Sequence, residues 1–435
     1  MARSTPQQHS HSHPHSGSRA RRARPTTLAI AATLTLALAG CAAGGSSGTE
    51  GTRQGTPAPS PTAAPEAAPT TPSPSSSPGP SPTPEALPGP VQPAGTPRDI
   101  ATGLEAPWSI VRLASGSTLI SERDSARIRE LTPDGALRDV GLIEGVVPRG
   151  EGGLLGLAAP PGAAADTVAG EDDDPADAGW LYVYFTAETD NRIVRVRLDG
   201  TPGSYSLGAR EEVLSQIPKA GNHNGGRIAF GPDGKLYATA GDAARGGNAQ
   251  DAASLGGKIL RLEPDGRVPA DNPTPNSPVY SLGHRNPQGI AWDETGRMWA
   301  AEFGQNTWDE LNLIQPGGNY GWPEVEGTGG GAGFVDPVMQ WATRDASPSG
   351  LAVVRGTLFL AGLGGERLWV IQPTAEGGAG DVVEYFRDEY GRIRDVTAGP
   401  DGSLWMITNN TDGRGSPREG DDRLIQVDLV PLAGG

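Results

Sequence analysis

Arg227-Ile228-Ala229-Phe230-Gly231-Pro232-Asp233-Gly234-Lys235-Leu236-Tyr237-Ala238 reads as a strand, a tight turn and a second strand. Apolar and aromatic residues fill both flanks, and Gly-Pro-Asp-Gly is tight-turn chemistry. The same unit recurs along the chain. It appears as Ser109 to Val111 with Ser117 to Ile120, and as Leu154 to Ala158 with, after a long acidic insertion, Trp180 to Thr186. It returns as Gly289 to Trp292 with Arg297 to Ala300, as Gly350 to Val354 with Thr357 to Ala361, and as Asp395 to Ala398 with Ser403 to Met406.

A third strand-like stretch follows each unit: Ala126 to Asp134, Asn191 to Gly200, Lys258 to Gly266, Glu310 to Gly318, Arg367 to Pro373 and Arg423 to Val430. Short strands in a regular array point to a repeat architecture. Helical periodicity is weak, while Gly (64) and Pro (41) are abundant enough to supply the many loops such an array needs. Allowing each unit a fourth strand predicts an all-β fold, a six-bladed β-propeller of four-stranded antiparallel blades. A large β-sandwich or solenoid is the alternative.

The first hundred residues read differently. Residues 1–27 are polar and basic, and Leu28 to Ala39 is an apolar run of signal-peptide length. It ends in Leu38-Ala39-Gly40-Cys41, which resembles the lipobox of bacterial lipoproteins. That resemblance implies a signal peptide over 1–40 and lipidation of Cys41. The chain would then be exported and lipid-anchored to the extracytoplasmic face of a bacterial membrane. Cys41 is the single cysteine, so no intramolecular disulfide forms. Residues 41–97 are rich in Pro, Ala, Ser and Gly and read as a disordered tether. The propeller is expected over 98–432. A net charge of −16 argues against nucleic acid as a partner.

Four of the six histidines lie within the first fifteen residues, leaving His223 and His284 for the folded part. In a propeller, the segment before each first strand and the segment after each second strand open on one end of the central channel. Glu151, His223, Arg285, Asn286, Ser349, Arg392 and Arg394 precede first strands. Asp242, Glu302 to Gln305, Gly362 to Gly365 and Asn409 follow second strands. All should converge on one mouth, with a histidine available as general base. His284 is expected to shape its turn.

Gly221-Asn222-His223-Asn224-Gly225-Gly226-Arg227, Gly283 to Gly289, Asn319-Tyr320-Gly321-Trp322-Pro323 and Gly391 to Val396 occur in an order that resembles the soluble pyrroloquinoline quinone (PQQ) dependent glucose and aldose sugar dehydrogenases. The resemblance implies oxidation of an aldose at C1 to the lactone, with electrons passing to an external acceptor. His223 would be the base, Asp242 the acid that orients it, and Arg285 the cation beside the quinone oxygen. Asn286, Arg392 and Arg394 would contact the cofactor. Calcium would take main-chain carbonyls of Gly304 and Gln305, and Glu310 with Tyr320 would match a second, structural calcium site.

Two positions depart from the family's pattern. Glu151 stands in the cofactor site where glutamine is common, and Gly364 where a lysine or arginine is common. Both changes bear on an anionic cofactor. They keep open two alternatives: a surface-anchored binding module without cofactor, and a calcium-dependent lactonase-like propeller.

Overall fold

The computed structural model describes residues 89–165 and 179–432. Cys41, the signal-peptide segment, most of the tether and residues 166–178 of the acidic insertion lie outside the described residues.

Strand β1 (Val91–Ala101) comes first and belongs to the last blade. Blade one is β2 (Pro107–Arg112), β3 (Thr118–Glu122), β4 (Arg127–Leu131) and β5 (Leu137–Leu142). Blade two is β6 (Leu154–Ala158), β7 (Trp180–Thr186), β8 (Asn191–Asp199) and β9 (Ser206–Ile217). Blade three is β10 (Ile228–Phe230), β11 (Leu236–Ala240), β12 (Lys258–Leu262) and β13 (Val279–Leu282). Blade four is β14 (Pro287–Trp292), β15 (Met298–Glu302), β16 (Trp308–Ile314) and β17 (Met339–Ala342). Blade five is β18 (Pro348–Val354), β19 (Thr357–Gly362), β20 (Arg367–Pro373) and β21 (Ala379–Tyr385). Blade six is β22 (Ile393–Ala398), β23 (Leu404–Thr408) and β24 (Leu424–Pro431), completed by β1. The result is a six-bladed propeller of four-stranded antiparallel blades.

β1 closes the ring by pairing antiparallel with β24, from Val91 opposite Pro431 to Ala101 opposite Leu424. Residues 91–97, assigned by composition to the tether, are therefore strand, and the propeller begins earlier than residue 98. Val-Gln-Pro-Ala-Gly-Thr-Pro looks like linker because it holds two prolines and a glycine. An outermost strand tolerates proline, since one side of its backbone owes no hydrogen bond to a neighbour. Val91 is nevertheless fully buried, and its N–H donates to Thr357 Oγ1 of blade five at 2.8 Å.

Strand alternation explains why the inner strands are apolar on both faces. In β11, Leu236, Ala238 and Ala240 face the core shared with blade two, while Tyr237 faces blade four. In β15, Met298 and Ala300 face blade three, while Trp299 and Ala301 face blade five. Each neighbouring pair of blades thus shares one apolar layer. The layer between blades six and one, including Leu104, Ile110, Trp405 and Leu424, completes the circle.

The first strands crowd the axis. A Cβ on Gly156 would lie 2.3 Å from the Gly226 carbonyl oxygen, so only glycine allows β6 and the start of blade three to approach this closely. Arg227 and Asp395 pair across the channel at 2.7 Å, and the Arg227 guanidinium lies over Trp108 at 4.4 Å.

Candidate active site

His223 occupies the loop between β9 and β10 with φ of 56°, a left-handed conformation for a non-glycine residue. Its surroundings hold it there. The His223 N–H donates to Glu151 Oε2 at 3.0 Å, and the His223 carbonyl accepts from the Ala243 N–H at 3.1 Å. Neighbouring Asn224 exchanges hydrogen bonds with the Ala220 backbone and accepts one from Asn191 Nδ2, and the Gly225 N–H donates to Asn286 Oδ1 at 3.0 Å. A Cβ on Gly225 would come within 2.5 Å of the Thr239 carbonyl oxygen, so the loop needs glycine to lie against β11.

The imidazole Nδ1 is 2.8 Å from Asp242 Oδ1. Asp242 lies just past β11 and is 1% exposed. It also accepts the Ala244 N–H at 2.7 Å and the Trp322 indole N–H at 2.9 Å. With Asp242 accepting from these donors, the tautomer that donates from Nδ1 to Oδ1 completes the set and leaves Nε2 as the acceptor. Arg285 lies over the Trp322 ring at 5.6 Å and donates to the Phe303 carbonyl at 3.2 Å. Burial lowers the Arg285 pKa, against the opposing pull of nearby Asp242 and Glu302. Glu302 accepts the Arg285 backbone N–H and the His284 Nδ1 proton, the latter at 2.7 Å. His284 is fully buried, bonded also to Ser281 and stacked on Tyr320 at 4.7 Å. It shapes the turn, as its sequence context predicts.

A cavity of about 130 Å³ opens beside this group. Its walls include Trp108, Glu151, Asn286, Arg392, Arg394 and Arg414. Arg394 donates to Gln288 at 2.9 Å, Ser349 at 3.3 Å and Asn409 at 3.2 Å, all neutral partners. Burial, with the charges of Arg123 and Arg392, pushes its pKa down to about 9. Arg392 is held by Asp412 at 3.2 Å. The Nε atoms of Arg285, Arg392 and Arg394 are buried with no hydrogen-bond partner among the described residues. Buried donors are nearly always satisfied, so these unsatisfied guanidinium donors, two on the cavity wall and one on Arg285 next to the cavity-lining Asn286, suit an anionic ligand rich in acceptors.

Glu151 lines the same cavity. Burial works to raise its pKa, but the His223 N–H and the Arg414 guanidinium outweigh it and the pKa is lowered. Its charge is therefore matched inside the protein, by Arg414 at 2.9 Å. Gly364 carries no cation, and a Cβ there would fall 2.4 Å from Ser347 Oγ. A second cavity, about 200 Å³, is lined by the middles of the first strands and touches none of Glu151, Asn286, Arg392, Arg394 and Arg414.

The turn after β15 has an unusual anchor. Glu326 Oε1 accepts the backbone N–H groups of Gln305, Asn306, Thr307 and Trp308 at 2.6 to 3.2 Å. Asp309 accepts those of Gly304 at 2.9 Å and Ser347 at 2.6 Å, and burial pushes its carboxyl up to about 7. With its N–H groups engaged, the turn leaves the carbonyls of Gly304 and Gln305 available to a cation. Among the described residues, no three His, Cys, Asp or Glu side chains are grouped to hold a metal. Glu310 and Tyr320 do line one small cleft together. The Tyr320 hydroxyl is already engaged, donating to the Leu313 carbonyl at 2.7 Å. Burial and the charge of Glu302 raise the Glu310 pKa.

The positions aligned by repeat register thus come together: His223, Asp242, Arg285, Asn286, Glu151, Arg392 and Arg394 share one end of the channel. Sequence reasoning missed Glu326, Asp412 and Arg414, and it assigned no partner to Glu302 or Trp322, which it places in the Glu302 to Gln305 turn and the Asn319 to Pro323 motif. The Trp322 indole N–H is a donor that a buried Asp242 would call for. Arg414 and Glu326 lie in irregular loops without register.

Comparison with known proteins gives a consistent result. A family model described as glucose/sorbosone dehydrogenase matches residues 104–416. The PQQ-bound aldose sugar dehydrogenase of Streptomyces coelicolor is 50% identical, with a TM-score of 0.72 over 79% of this chain and 98% of that one. The quinoprotein glucose dehydrogenase B of Acinetobacter calcoaceticus is 29% identical over 59% of each chain. The aldose sugar dehydrogenase YliI of Escherichia coli is 33% identical over 46% of this chain and 62% of its own length. The chain belongs to the glucose/sorbosone dehydrogenase family.

Proposed function

We propose that this protein is a PQQ-dependent sugar dehydrogenase that oxidises an aldose at C1 to the lactone, with calcium at the cofactor and electrons leaving to an external acceptor. The observation that carries the reading is a histidine–aspartate pair beside three arginines whose buried Nε donors lack partners among the described residues. That set fits a flat tricarboxylate quinone.

The residues divide the work. His223 Nε2 takes the proton of the C1 hydroxyl, and Asp242 stabilises the imidazolium that results. Trp322 and Ala244 hold the Asp242 carboxylate in place while that charge appears. Arg285 would stabilise the negative charge that develops, in a site whose partial burial strengthens its field. Arg392 and Arg394 would bind cofactor carboxylates, and Asn286 would lie against the same ligand. The quinone, when bound, supplies the two-electron acceptor for the hydride that leaves C1. Gly304 and Gln305 would offer hard main-chain oxygens to calcium, and Glu310 with Tyr320 would offer a second, structural site. Calcium would polarise the oxygens it touches.

The test is reconstitution. Apo-protein with PQQ and calcium should reduce an artificial dye when given aldoses, saturably in cofactor, and lose the activity to a calcium chelator. Absence of any PQQ-dependent turnover across an aldose panel would overturn the reading. The lipobox-like motif also supports export and lipidation at Cys41 on the outer side of a bacterial membrane. Cys41→Ala should move the protein from the membrane fraction to the soluble one.

A further inference from the structure

We propose that Arg414 is an anion-binding residue of the cofactor cavity, held ready by Glu151 and Asp412. The inference rests on the reading of the cavity as a site for an anionic quinone. Two observations carry it. Arg414 lines the cavity together with Arg392 and Arg394. Its side chain makes a single hydrogen bond among the described residues, Nη1 to Glu151 Oε1 at 2.9 Å. A guanidinium has five N–H donors in a fixed fork, so most of them are left for a ligand.

The loop that carries Arg414 is built to keep it there. Its backbone N–H donates to Asp412 Oδ1 at 2.9 Å, and Asp412 also holds Arg392 at 3.2 Å. One buried aspartate thus ties two arginines to the same rim. A Cβ on Gly415 would lie 2.6 Å from the Asn410 Cα and 3.0 Å from the Arg392 Cδ, so the loop presses against its neighbours.

The electrostatics require such a residue. Glu151 is pinned to the His223 N–H and cannot turn away from the cavity without releasing the base. A bare carboxylate there would repel an anionic ligand. Arg414 neutralises it and offers further donors to the cavity. Its side chain is 52% exposed, so the guanidinium can adjust to an incoming carboxylate without breaking a packed core.

The experiment is a binding titration of wild type, Arg414→Ala and Arg414→Lys with two probes, PQQ and benzene-1,3,5-tricarboxylate, at two salt concentrations. Loss of a charge-assisted contact should raise Kd for both probes by about tenfold or more in Arg414→Ala. Arg414→Lys should recover part of that loss, and the alanine variant should show a weaker salt dependence. Kd and dye-linked kcat are read separately, and the loss in Arg414→Ala should fall more on cofactor affinity than on kcat. Unchanged Kd for both probes in Arg414→Ala would overturn the inference and leave the proposed function standing. Wild-type binding of the tricarboxylate that depends on Arg414, without binding of PQQ, would support the inference and count against the quinone reading. Binding of neither probe by wild type would overturn both.

Discussion

His223 is constrained before any ligand arrives. Its left-handed backbone is held by Glu151 on one side and Ala243 on the other, and its ring is fixed by Asp242. Removing the base should be costly and specific. His223→Ala should keep cofactor affinity and lose about 10²–10⁴-fold in kcat, read by cofactor titration of dye-linked activity. Glu151 should separate into two roles. Glu151→Gln keeps an oxygen for the His223 N–H while removing the charge, so PQQ should bind more tightly at little cost in kcat. Glu151→Leu removes the acceptor as well and should lower kcat. Equal kcat in the two variants would show that Glu151 does not position the base. At this scale the sequence exposed the residues that repeat register aligns, such as His223, Asp242 and Arg392. It did not expose Arg414 or Glu326, because nothing in an irregular loop says which way a side chain will reach.

At the scale of elements, the turns were readable and the outer strands were not. The β14–β15 turn shows why a turn reveals itself. Asp293 accepts from the N–H and hydroxyl of Thr295, from the N–H and Nε of Arg297, and from the Trp299 indole. Burial alone would raise its pKa, but the bonds from Thr295, Trp299 and Arg297 lower it to about 2. The native state therefore binds fewer protons than the unfolded chain between about pH 4 and 2. The stability that Asp293 contributes is present above that window and lost as pH falls through it. Its magnitude is about 2 kcal/mol. Asp293→Asn should lower the urea midpoint at pH 6 and converge on wild type near pH 2. A constant difference across that range would refute the assignment.

The outer strands lack such signals for a physical reason. β9 and β21 have water along one face, so their burial is irregular and no alternation marks them. β1 is the extreme case, with prolines and a glycine in a strand that closes the whole ring. A chain beginning at Gly89 should fold as the full-length protein does. One beginning at Thr102 would bare the edge of β24 and expose the apolar layer around Val91. Its Tm should fall by more than about 5 °C, or the protein should aggregate through the open edge. Equal melting of the two truncations would mean that ring closure does not depend on β1.

For the whole molecule, the ring is what makes the site. Residues as distant in sequence as Glu151 and Arg414 meet only because blade six lies beside blade one. The repeat predicted that convergence, since equivalent positions must open on the same end of the axis. The contents of the mouth were less legible, as main-chain carbonyls carry no sequence signature. The most direct test of the central claim is the absorbance of protein-bound PQQ after mixing with an aldose, followed in wild type and in His223→Ala. The expected result is rapid reduction of the bound quinone in wild type. In the variant, equal binding and reduction at least about 10²-fold slower are expected. Wild type that binds PQQ yet leaves it oxidised with every aldose, or a variant that reduces it at the wild-type rate, would contradict the assignment of this channel mouth as the site of sugar oxidation.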